Sequence, residues 1–288
     1  MADRAVRRVL APNPGALTGP GTNTWIVGTG RVAVIDPGPA LPGHMAAILG
    51  ALGPGEAVSH ILVTHAHADH SPLARDLARE TGAPVLGFGA PGAGRSAVME
   101  GLAASGLAGG GEGVDAAFLP DMRLADGDVV AGGDWRLEAI HTPGHFAGHL
   151  AFAWEDTLFS GDHVMAWATT LVSPPDGDMG DYMASLARLA ARRWARVLPG
   201  HGDAMADPAA RLAELAAHRR GREAAILAAL AQGPGGLQEL TARVYADIAP
   251  ALLPAAARNA LAHLIDLHAQ GRVTARPHLG AGAVFALA

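Results

Sequence analysis

Seven side chains in this sequence have the types and spacing that could hold metal ions. Three histidines and an aspartate, His65, His67, Asp69 and His70, stand within six positions of ILVTHAHADH, separated only by Ala66 and Ala68. His145 closes HTPGH, Asp162 lies in SGDH, and His201 lies in PGHGD. Each of these four stretches ends a β-like apolar run and turns through small residues or Gly, whose backbone freedom lets such side chains converge. A single His or Asp at a strand end is ordinarily a cap or a hydrogen-bonded structural group; four such turns in one chain point to a metal site. Five imidazoles and two carboxylates are too many for one tetrahedral ion, and suit two ions sharing a bridging carboxylate. Nitrogen and oxygen donors without sulfur suit two Zn2+ per chain, and also Fe or Mn. Such a pair makes a bound hydroxide nucleophilic at neutral pH and polarises the bond under attack.

The elements that would position these residues are legible as hydrophobic pattern. NTWIVG (23–28) and RVAVID (31–36) read as a hairpin, and VSHILVTH (58–65) as a buried strand leading into the histidines. HMAAILGAL (44–52) has helical composition, and SPLARDLARE (71–80) reads as a helix with Ser71 at its N-cap and Pro just inside. Residues 92–112 are Gly/Ala-rich and weakly specified. The pattern returns to β in WRLEAIHTPG, HLAFAW and DTLFSGD, with a tight hairpin at Asp156-Thr157. Helices fit 179–194 and 207–220, with a strand at 195–199. Strands interleaved with helices across two similar halves predict sheets covered on the outside by helices. After about residue 220, REAAILAALAQ, LQELTARVYAD and AAARNALAHLIDLHAQ read as three helices, followed by short strands in RVTAR and GAVFAL. Three helices and a hairpin form the pattern of a winged helix. The expected division is therefore 1–215 for the sandwich and 216–288 for the winged-helix-like part.

Composition narrows the function classes. The 288 residues contain no Cys, which excludes disulfides, thiolate ligands and cysteine nucleophiles. The start MADRAVRRVLAPNPG has no apolar signal-peptide core, and no run of about 18 apolar residues suggests a membrane span; the expectation is a cytoplasmic protein without membrane contact. All 21 basic residues are Arg, and their distribution is uneven. Residues 1–215 carry fourteen Arg and twenty-three acids, net −9, whereas residues 216–288 carry seven Arg and four acids, net +3. The acidic part repels a long polyanion, and aromatics at 5% offer no stacking platform, so nucleic acid is disfavoured as a partner.

THAHADH, TPGH, SGDH and PGHG, in this order and after NTWIVG…VIDPG, resemble the motif series of the metallo-β-lactamase superfamily over about residues 20–205. The resemblance implies a four-layer α/β (α+β) αββα sandwich with the site along one edge of the paired sheets. It also implies His65, His67 and His145 on one ion, Asp69, His70 and His201 on the other, and Asp162 bridging. The chain has no counterpart of the Cys ligand of common zinc lactamases. Only sixteen residues separate His145 from Asp162, too few for the inserted domain of long RNA-processing members. A winged-helix tail, with HTPGHFAGHLAF and DHVMAWATTLVSPPDGDMGDYMASL, is similar to the β-lactamase-like protein 2 group, which includes a single-strand ribonuclease and thioesterases of polyketide synthesis.

The expected activity is thus a metal-dependent hydrolase in which Asp69 binds metal and orients the hydroxide. Its partner would be a small-molecule ester or thioester. Single-strand endoribonuclease activity is the alternative, and a ligand-sensing winged-helix regulator a more distant one. His149, Tyr182 and Asn23 are candidate substrate contacts, each with a structural role as the plainer reading. His163, beside Asp162, is not taken as a ligand, and Asp176 and Asp178 read as turn and cap residues. The basic cluster HRRGR (218–222) is a solvated helix end or a phosphate-holding patch. With Arg258 its only Arg, the third C-terminal helix does not read as a DNA-recognition helix. Packing, homodimerisation or closing the substrate cleft is the role left for it.

Overall fold

Side chains alternate across the strands Asn23–Val27 and Arg31–Ile35. Trp25, Val27, Ala33 and Ile35 join one apolar cluster, while Ile26, Val32 and Val34 join another. Strands with both faces buried lie in an inner layer, between a second sheet and a layer of helices. The computed structural model, which describes residues 6–110 and 113–288, has this arrangement.

The first sheet runs in the order β1 (Val6–Leu10), β2 (Asn23–Val27), β3 (Arg31–Ile35), β4 (Ala57–Leu62), β5 (Val85–Gly87) and β6 (Met122–Arg123). Its β1, β2 and β3 pair antiparallel, and β3 to β6 pair parallel. The second sheet is formed by β7 (Val129–Ala131), β8 (Arg136–His141), β9 (Leu150–Trp154), β10 (Thr157–Gly161) and β11 (Arg196–Pro199), in the order β11-β10-β9-β8-β7. Between the sheets, Trp25, Ile35 and Leu62 meet Leu137, Phe152 and Phe159. Full burial of a side chain such as Phe152 contributes about 2–3 kcal/mol.

Helices α1 (Pro42–Gly50) and α2 (Ala74–Thr81) cover the outer face of the first sheet through Ile48 and Leu77. Helix α3 (Ala97–Ala104), capped by Ser96, organises part of the stretch that the sequence leaves weakly specified, while Gly111 and Glu112 lie outside the described residues. Helices α4 (Met179–Ala190) and α5 (Pro208–Ala231) cover the second sheet through Met179, Leu186, Leu212 and Leu215. The chain ends in α6 (Leu237–Val244), α7 (Leu253–Ala269) and a sheet of β12 (Gly235–Gly236), β13 (Val273–Arg276) and β14 (Val284–Leu287), ordered β12-β14-β13.

Three local readings change. Residues 208–231 form one helix rather than two, so the division expected at 215/216 falls inside α5, which feeds Leu212 and Leu215 to one core and Ile226 and Leu230 to another. An interior glycine costs about 1 kcal/mol, and apolar packing on both sides of Gly221 outweighs it. Helix α2 begins at Ala74, because Ser71 donates to the Asp115 carboxylate at 2.8 Å and does not cap. The β9–β10 turn is Glu155-Asp156, with Glu155 at φ 54° and Trp154 paired with Thr157. Among the described residues, no helix is long and apolar enough to cross a membrane.

Candidate metal centre

The loop after β4 carries His65, His67, Asp69 and His70. His145 follows β8, Asp162 follows β10 directly, and His201 follows β11. These are edges of both inner sheets, and all seven residues are buried there. Glycine is required at two of the turns. A Cβ at Gly200 would stand 2.4 Å from Asp162 Oδ1 and 2.7 Å from His70 Cε1, and one at Gly161, with φ +48°, would stand 2.6 Å from His149 Nε2.

Three ring nitrogens converge first. His65 Nε2 lies 2.9 Å from His67 Nδ1, and His145 Nε2 lies 3.3 and 3.0 Å from these two. A second group forms beside it. His201 Nε2 is 3.1 Å from Asp69 Oδ2, and His70 Nε2 is 3.3 Å from both. Asp162 reaches across: Oδ1 is 3.4 Å from His70 Nε2, and Oδ2 is 3.2 Å from His201 Nε2 and 3.8 Å from His145 Nε2. The donor atoms of His65, His67 and His145, of His65, His70 and Asp162, and of Asp69, His70 and His201 each lie within 4.8 Å of one another.

The remaining nitrogens explain why the rings point inward. His70 Nδ1 donates to Asp36 Oδ2 at 2.9 Å, and His65 Nδ1 donates at 2.9 Å to Thr64 Oγ1, which donates onward to the same Asp36 oxygen at 2.8 Å. The Thr64 N–H holds Asp36 Oδ1 at 2.7 Å. One buried carboxylate therefore fixes a ring in each group. His201 Nδ1 donates to the Gly21 carbonyl at 3.1 Å, and His145 Nδ1 donates to that of Leu171 at 2.7 Å. Outer hydrogen bonds of this kind fix the tautomer that leaves the inner nitrogen free to coordinate.

Electrostatics divide the two groups. Burial pushes His65 well below its ordinary range, lowers His67 to about 3 and lowers His145, so these rings are neutral lone-pair donors at pH 7. Burial also opposes charge on His70 and His201, but Asp69, Asp162 and Asp36 around His70 outweigh it, and Asp162 and Asp69 raise His201 to about 10. In turn, and against their own burial, His70 and His201 hold Asp69 and Asp162 well below the usual carboxylate range. The donor chemistry fits a cation: nitrogens and carboxylate oxygens crowd one buried region, and Asp69 Oδ1 is buried there without a hydrogen-bond partner. Such His/Asp clusters imply a divalent metal.

The three candidate substrate contacts have other partners. Asn23 Nδ2 donates to the carbonyls of Pro199 and Gly202 at 3.0 and 2.8 Å, clamping the His201 turn. His149 accepts from the Asp162 N–H at 3.3 Å and contacts Thr142 Oγ1 at 2.8 Å. Tyr182 lies in the core beneath α4, its ring 4.6 Å from that of His163. All three are fully buried, and none lines the cleft of about 230 Å3 in whose wall His145 and Asp162 stand. They therefore shape the site from behind. His163 is likewise buried, and Asp178 caps α4 through the Gly180 N–H.

The sequence reading missed a strap. Residues 170–172 run outside His145 and Asp162: Thr170 Oγ1 donates to the Asp162 carbonyl and lies 3.2 Å from His145 Nδ1. On its other side, Arg219 of α5 donates to the Thr170 carbonyl, and Asn259 Oδ1 of α7 accepts from the Val172 N–H at 3.1 Å and from Arg219 Nη1 at 3.0 Å. Asp36 and Asn259 left signals, an Asp-Pro-Gly strand end and an amide in an Ala/Leu-rich helix. Arg219 left none.

An αββα sandwich with His/Asp clusters at one edge of its sheets is the architecture of the metallo-β-lactamase fold, a family of hydrolases. The chain belongs to the metallo-beta-lactamase superfamily, whose model matches residues 17–201, and it carries a beta-lactamase associated winged helix domain, matched over 237–278. A beta-lactamase-like protein 2 homolog of Drosophila melanogaster is 31% identical over 284 residues, covering 93% of this chain and 89% of the relative. A lactamase-like protein of Neosartorya fischeri is 34% identical over 78% of this chain, which spans 61% of that relative's length. A thioesterase of Emericella nidulans is 30% identical, with 78% of this chain and 59% of the relative covered. Among solved structures, a metallo-beta-lactamase family protein of Thermus thermophilus superposes with TM-score 0.78 at 25% identity, over 99% of each chain.

Proposed function

We propose that this chain hydrolyses an ester or thioester of a small molecule and holds two divalent ions, zinc first among them. His65, His67 and His145 hold one ion, Asp69, His70 and His201 the other, and Asp162 serves both. The observation that carries the pairing is the reach of the Asp162 carboxylate, 3.2 Å from His201 Nε2 and 3.8 Å from His145 Nε2. Bound there, the ions supply Lewis-acid polarisation of the bond under attack and acidify water. Asp69 Oδ1 is free to accept a hydrogen of the attacking water and aim its lone pair, while Thr22 Oγ1 donates to Asp69 Oδ2 at 3.1 Å and keeps that carboxylate from turning. Residues 1–215 supply the chemistry. Residues 216–288 close the cleft with Leu252 and Ala255, among others.

The preference for a carbonyl centre rests on the cleft's apolar lining, which includes Leu17, Trp167 and Ile248, and on the relative named a thioesterase. Phosphodiester hydrolysis is the second reading, favoured by His218 and Arg222 in the same lining. The test is turnover of a p-nitrophenyl ester, an acyl thioester and a labelled single-stranded RNA by one metal-loaded preparation. Ester or thioester turnover that falls about hundredfold or more in Asp69→Asn supports the proposal. RNA cleavage with neither ester nor thioester turned over replaces it with the second reading.

A further inference from the structure

The cleft wall supplied by the last third of the chain carries polar groups that the ligand clusters do not use. Arg222, on α5, lies with its guanidinium carbon 4.6 Å from the Tyr245 ring centroid, and both residues line the cleft. Arg222 Nη1 donates to the Val244 carbonyl at 2.8 Å, whereas Nη1 and Nη2 each reach one oxygen of Asp247 only at a long 3.5 Å, and the Asp247 side chain is 70% exposed. The Tyr245 hydroxyl is buried without a hydrogen-bond partner, in a residue only 5% exposed, and so is His218 Nδ1. Burial first, then the charges of Arg219, Arg222 and Arg211, push His218 below its ordinary range. These cations act in concert on one part of the cleft. Arg219 is itself taken up by neutral acceptors, Asn259 Oδ1 and the Thr170 carbonyl.

Buried donors without acceptors are costly, and a cation weakly paired with a solvated carboxylate retains capacity for another anion. The apolar residues between, Leu17, Trp167, Ile248 and Leu252, favour a body that sheds water. We infer that the cleft takes a substrate with an apolar body and one anionic group, a carboxylate or a phosphate, received by Arg222, Tyr245 and His218. This rests on the hydrolase reading above and names the substrate class within it. Residues 1–215 are net −9 and provide no long-range pull on such an anion, so recognition is by short contacts inside the cleft.

Two matched pairs of compounds test this: S-acetylpantetheine against S-acetyl-4′-phosphopantetheine, and p-nitrophenyl butyrate against the mono-p-nitrophenyl ester of glutaric acid. The members of the first pair differ by a phosphate and those of the second by a carboxylate, so the favoured pair identifies the source of the anion. With the metal-loaded full chain, kcat/KM favours the anionic member of at least one pair by about tenfold or more. That ratio falls towards one in Arg222→Gln and rises in Asp247→Asn, which removes the competing carboxylate. Reading the ratio cancels any general loss of activity in a variant. A ratio near one in both pairs, or one that survives in Arg222→Gln, overturns the inference while the hydrolase reading stands. If no member is turned over, the hydrolase reading fails separately, and calorimetric titration with hexyl phosphate and hexanol decides the anion question. Tighter binding of hexyl phosphate, lost in Arg222→Gln, supports the inference, and equal binding overturns it. RNA cleavage with both thioesters inert overturns the small-molecule occupant.

Discussion

Replacing Asn259 with Ala tests whether the C-terminal helices brace the metal centre. Asn259 Oδ1 accepts two bonds, from the Val172 N–H and from Arg219 Nη1, and Arg219 is only 1% exposed. The substitution leaves a peptide N–H and one donor of a buried guanidinium without acceptors. At about 1–3 kcal/mol for each orphaned donor, more where it is charged, the loss is about 3–5 kcal/mol. For a chain of this size that lowers Tm by roughly 6–10 °C. The site-specific part travels through the strap: with Val172 released, the Leu171 carbonyl and Thr170 hydroxyl no longer hold His145 Nδ1. Loss of an outer hydrogen bond to a ligating His weakens metal binding by about 10–100-fold. Chelator competition measures the affinity, the visible spectrum of the Co2+-substituted chain reports ligand geometry, and thermal melting reports stability. Asn259→Asp keeps the accepting oxygen and adds a charge opposite Arg219, losing only the 3.2 Å bond from Nδ2 to the Ala255 carbonyl, so it should restore affinity to within about threefold. A lowered Tm in Asn259→Ala with unchanged metal affinity and an unchanged Co2+ spectrum would show that the strap only stabilises the fold and does not brace His145.

Two further outcomes follow from the same geometry. Asp36→Asn turns an amide towards Thr64 and His70, which both present donors to Asp36; metal affinity should fall by at least about tenfold with the melting profile of the sheets retained, and full affinity would contradict the shared-anchor role of Asp36. In the metal-free chain, His163 and His263 are lowered to about 3, by burial first and then by neighbouring positive charge, whereas His201 is raised to about 10. Below about pH 6.5 the unfolded chain takes up protons that buried His163 and His263 refuse, costing about 1.4 kcal/mol per pH unit for each. Above about pH 6.5 the stability from protonated His201 is lost progressively as pH rises towards 10. Tm of the metal-free chain should therefore peak near pH 6–7, with the alkaline decline removed by metal, which displaces those protons; a flat profile from pH 5 to 9 would contradict both assignments.

How much of this was legible in the sequence depends on how far each residue stands from its partners. His65, His67, Asp69 and His70 share one loop, and each of the other three ligand candidates ends a recognisable strand, so type and setting announced them together. Strands interleaved with helices announced sheets covered by helices, the resemblance of the motif series implied the αββα order, and the C-terminal pattern announced the winged helix. Direction of a side chain was less accessible. His149 stands four positions after His145, Asn23 opens β2 and Tyr182 lies in α4, yet each points behind the site, because pleat and helix phase decide what faces the cleft. The roles of Arg219 and Asn259 were illegible for another reason: the bonds that join them to the strap span 40 or more positions, and only the docking of α5 and α7 against residues 170–172 brings them together. Gly221 misled because its local helix cost is smaller than the packing on either side.

Whether one buried region serves two ions is decided by elemental analysis of the purified chain by mass, beside that of Asp162→Ala. About two divalent ions per unmodified chain, falling to one or fewer when Asp162 is removed, is the predicted result. A single ion in both chains would contradict it, because the Asp162 carboxylate would then join nothing.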